Sequence, residues 1–250
     1  MATTTVGVPD PAPEQPVNHI GRIFGVFFSP GATYAEIAKR PTWLVPVIVL
    51  SLLGAVVAFS MNKRVDWRDV ASKRIESSPR ASQLSPEQKE QQLEVSAKIS
   101  PGIAYFFGVC GPILFVVIVG GVMLLAYNLL GGANANFKTS MGIVAHAACP
   151  GILSSLLLIL VIFLRPYGTL NLDNPLAANL GAFLPDDASK WLVSLSSAFD
   201  LFSFWTLILI GIGFAAFNPR KLKTGGSIGI AVAVWAAYEV VKVGLTFAFS

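Results

Sequence analysis

The sequence predicts an all-α integral membrane protein, a five-transmembrane-helix bundle with short interfacial helices and a helical extramembrane loop. Of its 250 residues, 54% are hydrophobic and only 13% are charged, and the mean hydropathy is +0.64. A soluble domain carries about 25% charged residues, so lipid is the expected solvent for much of this chain. Five segments are apolar over about the 20 residues that an α-helix needs to cross a hydrocarbon core. The predicted spans are 43–61, 103–130, 141–164, 199–217 and 227–249.

The second and third spans form the centre of the chain. Neither contains Asp, Glu, Lys or Arg, and only ten residues separate them. Two such helices joined by a tight turn make a membrane hairpin, on which the other spans must pack. Cys110 and Cys149 lie inside this pair. Small buried hydrophobic roles suit them better than a disulfide or a metal site.

The first 19 residues are expected to form a disordered tail ahead of a single membrane domain over 20–250. The tail is rich in proline and lacks the basic segment and apolar core of a signal peptide.

Residues 21–40 predict two short helices lying in the plane of the membrane interface. Ser29 can cap the second helix and Pro30 can open it. Aromatic residues in this stretch need apolar surroundings, and the cationic residues that flank them attract anionic lipid. The residues expected to contact the membrane surface are Arg22, Phe27, Phe28, Lys39 and Arg40.

The stretch 62–100 predicts a helical hairpin outside the bilayer. Apolar residues recur at helical spacing over 67–75. Ser85 and Pro86 then begin a second helix with a capping box, and this helix is expected to stop before Pro101. The mixed charges of the stretch are typical of a solvated face.

A second external loop is predicted over 165–198. It should lie partly on the membrane, because one helical face is shared by Trp191, Leu192, Leu195 and Phe199. The connection 218–226 is short and basic. Pairs of small residues that favour close helix packing occur in the last two spans. They are Gly211 with Ala215 and Gly229 with Ala233.

The fourth span carries Asp200-Leu201-Phe202-Ser203-Phe204-Trp205 and then Gly211-Ile212-Gly213, ahead of a short basic loop and an apolar last helix. In these features the chain resembles the bacterial branch of the Yip family, five-span membrane proteins named for Ypt/Rab-interacting proteins. The resemblance covers roughly 20–250. Further matching stretches are Phe27-Phe28-Ser29-Pro30, Pro41-Thr42-Trp43 with Pro46, Gly111-Pro112, and Phe137-Lys138 followed by Pro150.

This resemblance implies a compact five-helix membrane domain with a cytosolic N-terminus. In eukaryotic members it implies binding of Rab-type GTPases and roles in vesicle traffic. Here Cys110 replaces the tyrosine of the family's Tyr-Gly-Pro element, so the GTPase function is not carried over intact.

No catalytic, phosphate-binding or metal-binding motif is present. The chain is therefore expected not to be an enzyme, and no cofactor is expected. No basic block is long enough to indicate nucleic-acid binding.

His146 is the first of the candidate intramembrane polar residues. It precedes Pro150 by four residues, and a proline cannot donate to the carbonyl four residues earlier. A free carbonyl beside an imidazole could bind an ion, a water or a polar neighbour. The alternative is a histidine hydrogen-bonded across helices to hold the bundle. Pro112 should likewise free the carbonyl of Gly108, so Pro112 and Pro150 are predicted helix-kink positions.

Glu239 and Lys242 lie on one face of the fifth span, near its midpoint. They predict either a structural ion pair, with Asp200 or His146 nearby, or a charge site for a proton, an ion or a lipid headgroup.

Two functional classes remain open. The first is a membrane scaffold or interaction protein that binds partner proteins or lipids, with a homo-oligomer as another form of partner. The second is a small transporter or channel using His146, Glu239 and Lys242. Few polar residues are available to line a path, which favours the scaffold. The expected location is the bacterial cytoplasmic membrane with a cytoplasmic N-terminus. The Lys and Arg count alone leans the other way, with ten outside and seven inside.

Overall fold

The computed structural model describes residues 16–78, 81–185 and 187–248. These residues form ten α-helices and contain no β-strand, so the predicted all-α class is confirmed. Residues 1–15 of the predicted tail lie outside the described residues. The helices are α1 His19–Phe28, α2 Pro30–Lys39, α3 Leu44–Arg64, α4 Trp67–Glu76, α5 Pro86–Gly131, α6 Phe137–Ala147, α7 Pro150–Leu164, α8 Lys190–Ala198, α9 Leu201–Phe217 and α10 Thr224–Ala248.

Four helical segments in the described part of the chain are long and apolar enough to cross a membrane. They are α3, α5, α6 together with α7, and α10. The fifth predicted span appears as α9, which is apolar but has only 17 residues. At 1.5 Å per residue it is about 25 Å long, at the short end of the range for a transmembrane helix.

The predicted stop before Pro101 is wrong, because α5 runs unbroken through 46 residues. Ser85 does begin it with the predicted capping box: its hydroxyl accepts the Gln88 N–H, and the Gln88 side chain accepts the Ser85 N–H. Pro101 removes one backbone hydrogen bond, but α4 and α3 pack against α5, and the helix continues through that point. Tertiary packing therefore overrides the local effect of the proline.

The third span is interrupted. Helix α6 ends at Ala147 and α7 begins at Pro150, with a tight turn between them. Pro112, by contrast, lies inside the continuous helix α5. The carbonyl that Pro112 frees belongs to Gly108, where α3 crosses α5. A Cβ on Gly54 would clash with that carbonyl oxygen, so the two glycines allow the backbones to touch.

The carboxyl ends of α5 and α9 and the start of α10 contact one another. The Tyr127 hydroxyl donates to the Ser227 carbonyl at 2.6 Å, and its ring stacks on Phe214 with centroids 3.8 Å apart. Asn128 exchanges two hydrogen bonds with the backbone of Ala135, and the Asn218 side chain donates to the Ala133 carbonyl at 3.0 Å. These contacts place the 131–136 and 218–223 connections at one end of the bundle.

The predicted small-residue pairs behave differently. Gly211 lies directly against Ile228 of α10, and its carbonyl accepts the Ser227 hydroxyl at 2.7 Å. Gly229 has open space where a Cβ would be, so it does not bring another helix close. The prediction for Gly229 is wrong.

Candidate functional site

Arg22 lies inside the protein, at the base of the hairpin formed by α1 and α2. Its side chain is buried, and its guanidinium donates to the carbonyls of Arg40 and Glu36, at 2.9 and 3.2 Å, and to the Thr42 hydroxyl at 3.0 Å. Burial lowers the pKa of Arg22 from its ordinary value, while the Glu36 carboxylate acts in the opposite direction. The prediction that Arg22 contacts the membrane surface is therefore wrong: it joins α1 to the carboxyl end of α2.

The predicted α1 and α2 helices are both present, and Pro30 opens α2. One face of the hairpin packs against α6 and α9. This face is buried in the core through Val26, Tyr34 and Ile37. Phe27 is half-buried and makes an edge-on ring contact with Trp205, with centroids 5.5 Å apart. Phe28, Lys39 and Arg40 are exposed, and their contact with a membrane surface stays a prediction.

His146 is completely buried in α6. Its Nδ1 contacts the Gly142 carbonyl of its own helix at 2.8 Å, and Nε2 has no hydrogen-bond partner among the described residues. Because a carbonyl can only accept, Nδ1 carries the proton in this contact. The prediction of a free His146 carbonyl is wrong, because the Cys149 N–H donates to it at 3.2 Å. The tight turn ahead of Pro150 thus satisfies the group that the proline leaves without a donor.

Glu239 and Lys242 form the predicted ion pair, with Oε2 and Nζ 2.5 Å apart. Glu239 is 8% exposed, and the Lys242 ammonium lies 5.7 Å from the centre of the Tyr238 ring. Because α10 begins at Thr224, Glu239 is sixteenth of 25 residues. It lies about 22 Å from the start of the helix and about 14 Å from its end, past the predicted midpoint.

A groove of about 510 Å³ separates α8 from the second half of α10. The predicted amphipathic face of α8 forms one wall of it, and Glu239 is the charged residue of an otherwise apolar lining. Sequence reasoning predicted the face and the carboxylate but not that they meet. The main lining residues are Trp191, Leu195, Phe199, Trp235, Val240 and Phe247.

Asp200 is a helix cap. Its carboxylate accepts the Ser203 N–H at 2.8 Å and so begins α9. The structure therefore does not gather the candidate polar residues. His146 bonds within α6, Glu239 pairs with Lys242 on α10, and Asp200 caps α9.

No group of three or more His, Cys, Asp or Glu that could hold a metal occurs among residues 16–78, 81–185 and 187–248. Cys110 and Cys149 are both free thiols.

A cleft outside the apolar segments was not predicted. It has a volume of about 590 Å³ and lies between α4 and the first part of α5, with Arg74, Gln92 and Ser96 among its lining residues. An ion pair between Arg68 and Glu90 joins the two helices. The periodicity of the sequence predicted both helices, but it did not predict the open space between them.

Comparison with known proteins decides the family. The Yip1 domain family matches residues 24–242, most of the chain. The chain belongs to this family. Membrane protein YknW of Bacillus subtilis (strain 168) is similar to it, with 24% identity over 209 residues that cover 82% of this chain and 78% of YknW. No solved structure gives a significant match. The chain is thus a Yip1-family membrane protein with a bacterial relative, and the family is not a known enzyme family.

Proposed function

We propose that this Yip1-family protein is a non-enzymatic membrane scaffold that binds partner proteins or lipids, in membrane organisation or trafficking. The observation that carries the proposal is the separation of its polar groups. His146 and Glu239 each have a partner on their own helix, and Asp200 is engaged as a cap. A pathway for ions needs polar side chains that follow one another through the bundle. Polar groups held apart on three different helices suit a packed scaffold better.

The surface best suited to a partner protein is the cleft between α4 and α5. It is open and mixes polar and apolar lining residues, as interaction surfaces do. Its rim carries charges of both signs, including Arg68, Asp69, Lys73 and Glu90. A folded partner or a second copy of this chain has access to it from the water.

We further propose that the protein lies in a bacterial cytoplasmic membrane with its N-terminus in the cytoplasm. Support comes from the connection between α9 and α10, where Arg220, Lys221 and Lys223 cluster, because short basic loops favour the cytoplasmic side. If α3, α5, α6 with α7, and α9 each cross the membrane once, this connection and the N-terminus lie on the same side. A reporter fused after residue 250 should be active only outside the cytoplasm, and activity inside would reverse the orientation.

Two measurements test the scaffold. In proteoliposomes, the protein should give no proton or cation flux above empty vesicles. Flux that disappears in His146→Ala or Glu239→Gln would establish the transporter instead. In cells, a photo-crosslinking residue at Gln92, which lines the cleft, should trap a defined partner. The same residue at Gln91, its exposed neighbour outside the lining, is the control. Equal capture at both positions would count against the cleft.

A further inference from the structure

The hairpin of α1 and α2 carries no charge along most of its length. From residue 23 to residue 35 there is no Asp, Glu, Lys or Arg. Its charged residues are all at the base, where Arg22 also bonds to the Arg40 carbonyl. The turn between the helices, at Ser29 and Pro30, is the hairpin tip. A helix pair lying flat in the interface would be expected to carry polar residues along its water-facing side.

The hairpin runs along α9 and does not cover the end of the bundle. Tyr34 of α2 lies where a Cβ on Gly213 would come within 3.0 Å of its ring, and Phe27 near the tip contacts Trp205. Trp205 is twelve residues before Phe217, so it lies about 18 Å from the carboxyl end of α9. At the base, Pro41 packs against Gly142, the sixth of the eleven residues of α6, about 8 Å from the start of that helix. The tip therefore lies deeper along the apolar helices than the base.

The outer face of α1 is a stripe of large apolar side chains. Ile20, Phe24 and Phe28 are spaced four residues apart and are 67%, 61% and 83% exposed. The opposite face, with Ile23 and Val26, is buried in the core. A stripe that continues from base to tip needs apolar surroundings at every level of the hairpin.

The backbone at the tip leaves few polar groups without a partner. The Ser29 N–H donates to the Gly25 carbonyl at 2.8 Å. The Ser29 carbonyl accepts both the Thr33 N–H, at 3.1 Å, and the Thr33 hydroxyl, at 2.9 Å. Pro30 has no N–H to satisfy. These bonds lower the cost of placing a turn in hydrocarbon, where water cannot compensate unpaired groups.

We propose that the hairpin is re-entrant: it enters the bilayer beside α9 from the end of the bundle where the chain begins, and it turns back within the membrane. Its partner is the acyl chains of phospholipids in that leaflet, which cover Ile20, Phe24 and Phe28. The charged base stays at the headgroup level. This replaces the flat interfacial arrangement expected from the sequence, and it holds whether or not the scaffold has a protein partner.

Depth measurements separate the two arrangements. Single cysteines at positions 20, 24 and 28, in a Cys110→Ala background that keeps the buried Cys149, would carry nitroxide labels. The vesicles would contain equal amounts of phosphatidylethanolamine and phosphatidylglycerol. For each label, the ratio of its collision rate with oxygen to its collision rate with a water-soluble nickel chelate is measured. This ratio should increase from position 20 to position 24 to position 28. The inserted arrangement predicts up to about 12 Å of depth between the first and last label.

Two further labels calibrate this scale: position 118 on the exposed apolar face of α5, and position 91 in the extramembrane part of the same helix. Label 28 should resemble label 118. Equal depths at 20, 24 and 28 would show a flat hairpin and overturn the proposal, as would a label at 28 that resembles label 91.

A matched pair of charge substitutions gives an independent test. Ile20 and Phe28 are both exposed, so neither Ile20→Lys nor Phe28→Lys removes much packing within the protein. Lysine at the base can reach the headgroups, whereas lysine at the tip enters hydrocarbon. The yield of membrane-integrated Phe28→Lys should be several-fold lower than that of Ile20→Lys. Equal yields would contradict an inserted tip.

Discussion

Helices α6 and α10 are both apolar, yet they occupy opposite environments. Every residue of α6 from Thr139 to Ala147 is buried, whereas α10 buries only Ser227, Ala231 and Glu239 of its 25 residues. Composition does not reveal this difference, because lipid tails are as apolar as a protein core. What distinguishes α6 is the set of helices that surround it. It belongs to a packed group with α1, α2 and α9, while α10 contacts neighbours on one side and exposes Val240, Val241 and Phe247 on the other.

The contrast is tested most strongly at two glycines. At Gly213, inside the packed group, a side chain would run into Ile143 and Tyr34. Gly213→Leu should therefore lower the free energy of unfolding by about 3 kcal/mol or more, because overpacking a close contact is costly. Gly229→Leu on α10 points into open space and should change it by less than about 0.5 kcal/mol. SDS-induced unfolding measures both. Similar losses would show that α10 is packed against something in its native state.

Arg22 tests what joins the packed group at its base. Arg22→Met keeps much of the apolar stem but removes the guanidinium, and with it the hydrogen bonds to the Arg40 and Glu36 carbonyls and to the Thr42 hydroxyl. A loss of about 2–3 kcal/mol is expected, the range for hydrogen bonds to a charged group.

The control for Arg22 is Lys39→Met at the exposed end of α2, which should cost only about 0.5 kcal/mol through the helix dipole. If both changes cost the same, Arg22 does not secure the hairpin.

Glu239 and Lys242 are the charged residues of α10, and they pair with each other. Glu239→Gln should cost about 1–2 kcal/mol, less than a fully buried pair, since Lys242 is partly exposed and can turn toward solvent. Adding Lys242→Met should recover most of that loss. A double variant that is stable in detergent yet fails to replace the intact gene in cells would show that the pair has a functional role.

The smallest effect is expected at Tyr127, where the packed group meets α10. Tyr127→Phe keeps the stacking on Phe214 but removes the hydrogen bond to the Ser227 carbonyl. A loss of about 1 kcal/mol is expected for the removal of one buried hydrogen bond. The melting temperature of the detergent-solubilised protein would report it, with Tyr105→Phe on the exposed part of α5 as the control. An unchanged melting temperature would mean that water replaces the donor.

The sequence by itself determined the class of the protein and much of its local structure. Apolar length predicted the membrane-spanning helices, Ser85 and Pro86 predicted where α5 begins, and the motif of α9 led to the Yip family. These features depend on a few neighbouring residues. The Glu239–Lys242 pair was predictable for the same reason, because its partners are three residues apart on one helix.

Only the tertiary structure decided which apolar residues face protein and which face lipid. It buried Arg22, which the sequence placed at the membrane surface, and it carried α5 through Pro101. It also turned α1 and α2 along α9, and set Glu239 in a groove beside α8. Each of these results depends on residues far apart in the chain. In a membrane protein the hydrophobic pattern cannot supply that information, because both environments select the same side chains.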